Sequence, residues 1–102
     1  MNSLIFEYLT LLIMSHLVGD YVLQTDFIAK TKGTNDYHLL VHCALYCLPF
    51  YIFFGFGWHL PVLFFSHILI DLLKAKYNRI SYFVEELLHY MILLIIFIAG
   101  IV

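Results

Sequence analysis

The stretch LIFEYLTLLIMSHLVGDYVLQ, residues 4–24, holds roughly twenty mostly apolar positions in a row, the length an α-helix needs to cross the hydrocarbon of a bilayer. Met1-Asn2-Ser3 in front of it carries no Lys or Arg, and the run contains His16 and Asp20 where a cleavage site would be expected. The segment therefore reads as a first membrane helix and not as a signal peptide. Working outward, the polar segment from Gln24 to Asp36 forms the longest connection, and three further apolar stretches follow at 37–54, 61–74 and 82–101. The expectation is an all-α, four-helix transmembrane bundle forming a single membrane domain over residues 1–102.

The connections support this partition. Gly55-Phe56-Gly57-Trp58-His59-Leu60-Pro61 supplies two glycines and a proline for a tight hairpin, with a Trp suited to the interface and His59 read as a loop residue. The third stretch is short for a span; Pro61 suits a helix start and Lys74 can snorkel, so a tilted or bilayer-thinning crossing is expected. Ser81 reads as an N-cap, with Glu85 and Glu86 in the early turns that favour carboxylates.

Composition agrees: 64% of the 102 residues are hydrophobic and 12% charged, against about a quarter charged in soluble domains. A net charge of −2 with five scattered Lys and Arg argues against a nucleic-acid partner. The expected surroundings are membrane lipid, with a homo-oligomer or a membrane protein partner left open. All five basic residues (Lys30, Lys32, Lys74, Lys76, Arg79) fall in the first and third connections. The positive-inside rule then places those connections in the cytoplasm and both termini outside, in a plasma or inner membrane. Cys43 and Cys47, four apart in an apolar stretch, read as small buried hydrophobes, and no repeat is visible at the residue level.

The ionisable residues inside the helices carry the functional signal, because an Asp or Lys costs roughly 2.5–3.5 kcal/mol at the centre of a membrane helix. They fall in pairs at i,i+4: His16 with Asp20, His38 with His42, His67 with Asp71, and Glu85 with His89. Such pairs lie within about 40° on one helix face. Counted inward from the first and third connections, Asp20, His42, His67, Asp71, Glu85 and His89 fall in one layer roughly 5–15 Å deep. The outer halves hold little charge beyond Glu7.

Imidazole and carboxylate on adjacent turns can reach a common metal ion. The expected ligands are His16, Asp20, His42, His67, Asp71, Glu85 and His89, enough for one or two divalent ions of the zinc, manganese or iron type. Gln24 extends the first face and is expected in the second shell, while Glu86 is read either as a dipole-stabilising residue or as a catalytic base. His38 is expected at the membrane surface. The competing readings are a non-enzymatic membrane module held by a buried polar network, and an ion or proton pathway.

The segments His16-Leu17-Val18-Gly19-Asp20-Tyr21-Val22-Leu23-Gln24, His42, His67-Ile68-Leu69-Ile70-Asp71 and Glu85-Glu86-Leu87-Leu88-His89 resemble the small bacterial and phage membrane proteins of the DUF3307 family. In that family the last motif usually reads D-Q-x-x-H, so Glu85-Glu86 departs from it. The resemblance implies a membrane protein without assigning a reaction. In motif style the His-x-x-x-Asp helices also look like the zinc sites of phospholipase C and P1-type nucleases, and like predicted membrane-bound metal-dependent hydrolases. That likeness implies hydrolysis of a phosphoester or lipid-like substrate.

Overall fold

A computed structural model describes residues 3–101, and its described residues contain helices and no strand. Helix α1 spans Ser3–Leu17 and continues as a π-helical turn over Val18–Val22. A short α2 (Asp26–Thr31) lies inside the segment expected to be a loop, started by Thr25, whose hydroxyl accepts from the Ile28 amide at 3.1 Å. Helix α3 (Asp36–Phe54) starts at Asn35, whose side-chain oxygen accepts from the amides of Tyr37 (3.0 Å) and His38 (3.2 Å). It ends at Gly55, where φ is 75°, a conformation that glycine adopts without a Cβ penalty.

Helix α4 (His59–Asp71) begins earlier than the sequence suggests, so His59 stands in its first turn and is not a loop residue. Pro61 lies in that first turn, where its missing N–H leaves no intrahelical bond unmade. The helix runs on as a second π-helical turn, Leu72–Lys76. Helix α5 spans Tyr82–Ile101, and Ser81 caps it as expected, its hydroxyl accepting from the Val84 amide at 3.2 Å.

The long helices pack in a ring in which α1 contacts α3 and α5, and α4 contacts α3 and α5. The α1–α3 approach depends on Gly19: a Cβ there would lie 2.7 Å from the Tyr46 carbonyl oxygen. Small residues at such crossings let backbones close up where lipid supplies no hydrophobic drive. One part of the interior is an apolar cluster of Leu12, Tyr46, Phe50, Leu63, Leu93, Ile96 and Phe97.

Beside this apolar cluster, the interior holds ionisable side chains while large apolar ones face outward. Ser15, His16, Asp20, His42, His67, Asp71, Glu85 and His89 are buried, while Phe6, Ile52, Phe53, Phe65, Leu94 and Ile95 face outward. Outward apolar surface of this extent suits a lipid environment. Three helical segments, Ser3–Val22, Asp36–Phe54 and Tyr82–Gly100, are long and apolar enough to cross a membrane. The molecule measures 44 Å along its long axis, comparable with the roughly 40–45 Å of a bilayer with its headgroups.

Candidate metal centre

Each descending helix presents a His-x-x-x-Asp pair and then widens into a π-helical turn. In the first, Leu23 N–H donates to Val18 O at 2.9 Å; in the second, Tyr77 N–H donates to Leu72 O at 3.0 Å. Such i→i+5 turns shift the register of the side chains beyond them and recur at functional sites. Asp20 lies within the first, and Asp71 immediately precedes the second. The next long helix returns a histidine about two turns in, His42 on α3 and His89 on α5. The two hairpins therefore supply the same donors in the same order, a correspondence that residue-by-residue comparison does not reveal.

Four of these donors meet at the centre. His42 Nε2 lies 3.3 Å from Asp20 Oδ1, 3.1 Å from Asp71 Oδ2 and 3.0 Å from His67 Nε2. His67 Nε2 is 3.5 Å from both Asp20 Oδ1 and Asp71 Oδ2. Two ligands about 2.0–2.2 Å from a tetrahedral zinc are separated by about 3.3–3.6 Å. The triangles Asp20–His42–His67 and His42–His67–Asp71, which share one edge, come close to that spacing. Three groupings could hold an ion, with donor atoms within 4.8 Å of one another: Asp20, His42 and His67; His67, Asp71 and His89; and His16, Asp20 and Glu86.

Stacking holds the rings in place. The Tyr46 ring lies on His67 at 3.9 Å between centroids and 18° between planes, and His67 lies on His89 at 4.2 Å and 20°. Asp71 Oδ1, 3.5 Å from His89 Nε2, has no hydrogen-bond partner among the described residues, and neither does that nitrogen. Nδ1 of His42 and of His67 also lack partners among the described residues. Buried polar atoms left in this state are costly, and an ion between Asp71 and His89 would engage two of them.

The charge balance points the same way. Asp20, Asp71, Glu85 and Glu86 crowd this end of the interior, and among the described residues the ammonium of Lys32, 3.4 Å from Asp71 Oδ2, is the one Lys or Arg charge in contact with them. In a low dielectric such an excess of carboxylate calls for further positive charge, from protonated imidazole or from a metal ion.

His16 is engaged at both ring nitrogens. Tyr46 O–H donates to Nδ1 at 2.8 Å, and Nε2–H donates to Glu86 Oε2 at 3.2 Å, a pairing that one neutral tautomer satisfies. An ion in the His16–Asp20–Glu86 grouping would have to replace the second of these bonds. Glu85 is buried but stands at the edge, 3.9 Å from His89 Nε2, and belongs to none of the three groupings. Glu86, expected beside the ligands as a base, belongs to one of them.

Gln24 reaches the centre indirectly: its Oε1 accepts from Lys32 Nζ at 2.8 Å, and Lys32 in turn approaches Asp71. Sequence reasoning missed Lys32, which comes from the connection and lies on no helical face, and Tyr46, which stands one turn after His42 and could have been found from that spacing. His38 stays outside the cluster, its Nδ1 2.6 Å from Thr31 Oγ1, so it fastens α2 to α3. A cavity of about 460 Å³ opens onto the site, lined among others by Asp20, Gln24, Lys30, Lys32, Lys74, Glu85 and Glu86.

A family model described as a protein of unknown function, DUF3307, matches residues 8–102. No curated protein matches the chain. No solved structure matches it.

Proposed function

The chain belongs to the DUF3307 family, and from that premise we propose that it is a membrane-embedded metal-binding protein acting as a metal-dependent hydrolase of a phosphoester or lipid-like substrate. The four long helices form one transmembrane bundle, with the Lys- and Arg-bearing connections in the cytoplasm, both termini outside, and the polar centre in the cytoplasmic half. One or two zinc-class divalent ions would be held by Asp20, His42, His67 and Asp71, with His89 completing the set on the α5 side. The observation that carries this reading is the buried convergence of two imidazole nitrogens and two carboxylate oxygens at 3.0–3.5 Å.

A divalent ion there supplies Lewis acidity toward a phosphoryl oxygen and lowers the pKa of a water molecule. The chain's own residues do the rest. Glu86, a partly exposed carboxylate facing the cavity, takes up a proton, and His16, itself held by Tyr46, fixes the orientation of Glu86. Lys32 balances Asp71 and is oriented by Gln24. The apolar cluster below the centre disfavours a pathway across the membrane, since Leu12, Phe50, Leu63 and Ile96 close the interior there.

Hydrolysis of p-nitrophenyl phosphate esters by detergent-purified protein tests the proposal. The expected result is a zinc-dependent activity that Glu86→Gln lowers about 10²–10⁴-fold while bound metal is retained. Absence of activity in metal-loaded wild type, or full activity after chelation, would contradict it.

A further inference from the structure

The cavity above the centre is lined by the carboxylates Asp20, Glu85 and Glu86 and also by three lysines that the hydrolytic reading does not by itself require. Lys30 and Lys32 enter it from α2 and its C-terminal end, and Lys74 from the π-helical turn after α4. Lys76, close by in sequence, pairs with Asp36 at 3.3 Å, whereas Lys30 and Lys74 have no carboxylate partner among the described residues. Lys32 belongs to both regions: it lines the cavity, and its Nζ lies 3.4 Å from Asp71 Oδ2. Two unpaired ammonium groups and a third anchored to the metal ligands thus share a cavity of about 460 Å³, a volume within the usual range for small-ligand sites.

Lys30 and Lys74, which no carboxylate among the described residues engages, offer ammonium donors to an anion with several acceptor oxygens. The exposed rings of Tyr21 and Tyr82, joined through their hydroxyls, stand at the same cavity. Paired tyrosines suit the headgroup level of a membrane. We infer that Lys30, Lys32 and Lys74 form a phosphate-binding mouth that receives the phosphate group of the ligand and delivers it to the Asp20–His42–His67–Asp71 centre. The inference rests on the hydrolase reading for the fate of the bound group, but the binding itself needs only the lysines and the cavity.

Calorimetric titration of the full chain in detergent tests it, using inorganic phosphate and dioctanoyl phosphatidate as probes, on both chelator-treated and zinc-loaded protein. Wild type should bind at least one probe. Affinity should fall about tenfold in Lys30→Gln and in Lys74→Gln, and about a hundredfold in the double variant, as expected for lost charge-assisted hydrogen bonds. Lys76→Gln, whose lysine lies outside the lining, should leave affinity unchanged. Tighter binding of phosphatidate identifies a lipid headgroup as the source of the phosphate, and equal binding identifies a free phosphate.

Binding that depends on the lysines in chelator-treated protein supports the mouth even if no metal is retained. Zinc retention with phosphate affinity unchanged in the double variant overturns the mouth and leaves the metal centre standing. Failure of wild type to bind either probe also overturns it.

Discussion

Replacing Asp71 by Asn exchanges one carboxylate oxygen for an amide nitrogen at nearly constant volume, so its effect on metal binding can be separated from its effect on packing. Asp71 is buried and touches most of the centre: Oδ2 lies 3.1 Å from His42 Nε2, 3.5 Å from His67 Nε2 and 3.4 Å from Lys32 Nζ, and Oδ1 lies 3.5 Å from His89 Nε2. Structural zinc sites bind with roughly 10–16 kcal/mol, so one of four ligands is worth about 2.5–4 kcal/mol, or about 10²–10³ in affinity. Competition with a chromophoric chelator, read on detergent-purified protein, should show a weakening of that size in Asp71→Asn. Far-UV circular dichroism should show unchanged helix content, because Asn can still accept from Lys32. Asp36→Asn, at a side chain 80% exposed in its pair with Lys76, should leave zinc affinity unaltered. Equal zinc affinity in wild type and Asp71→Asn would refute the reasoning, as would an equal loss in Asp36→Asn.

Two further predictions concern the scaffold around the centre. Gly19→Ala places a methyl 2.7 Å from the Tyr46 carbonyl oxygen; forcing α1 from α3 should destabilise the protein by about 1–3 kcal/mol, measured as a lower midpoint in thermal unfolding in detergent. Tyr46→Phe removes the hydroxyl that donates to His16 but keeps the ring on His67. It should cost about 1 kcal/mol of stability and leave metal content unchanged, read from unfolding curves alongside elemental analysis.

Much of the architecture is legible in the sequence because lipid makes a simple demand: helices must satisfy their own backbone and turn apolar side chains outward. The segment 82–101 corresponds closely to α5, and Asp36–Phe54 begins one residue before the expected start. The i,i+4 pairs were equally readable, because helical geometry fixes which side chains share a face before any packing is known. The π-helical turns were not. Neither VGDYV nor LLKAK differs in composition from an ordinary helix end.

Helix α2 had a signal in Thr25 followed by Asp26, a cap and a first-turn carboxylate, which the surrounding polar residues masked. Glu85 and Glu86 are neighbours about 100° apart on a helix, so the rotation of α5 decides which of them meets His16, and sequence alone does not carry that rotation. Lys32 was hidden for a related reason: it reaches Asp71 only because the connection folds back over the end of the helices.

X-ray absorption at the zinc edge, on wild-type protein incubated with zinc and then desalted, tests the central claim most directly. The account predicts a first shell of nitrogen and oxygen at about 2.0–2.1 Å with outer-shell imidazole scattering, lost in the His42→Ala, His67→Ala double variant. Protein that retains no metal, or metal whose shell contains no imidazole, would contradict it.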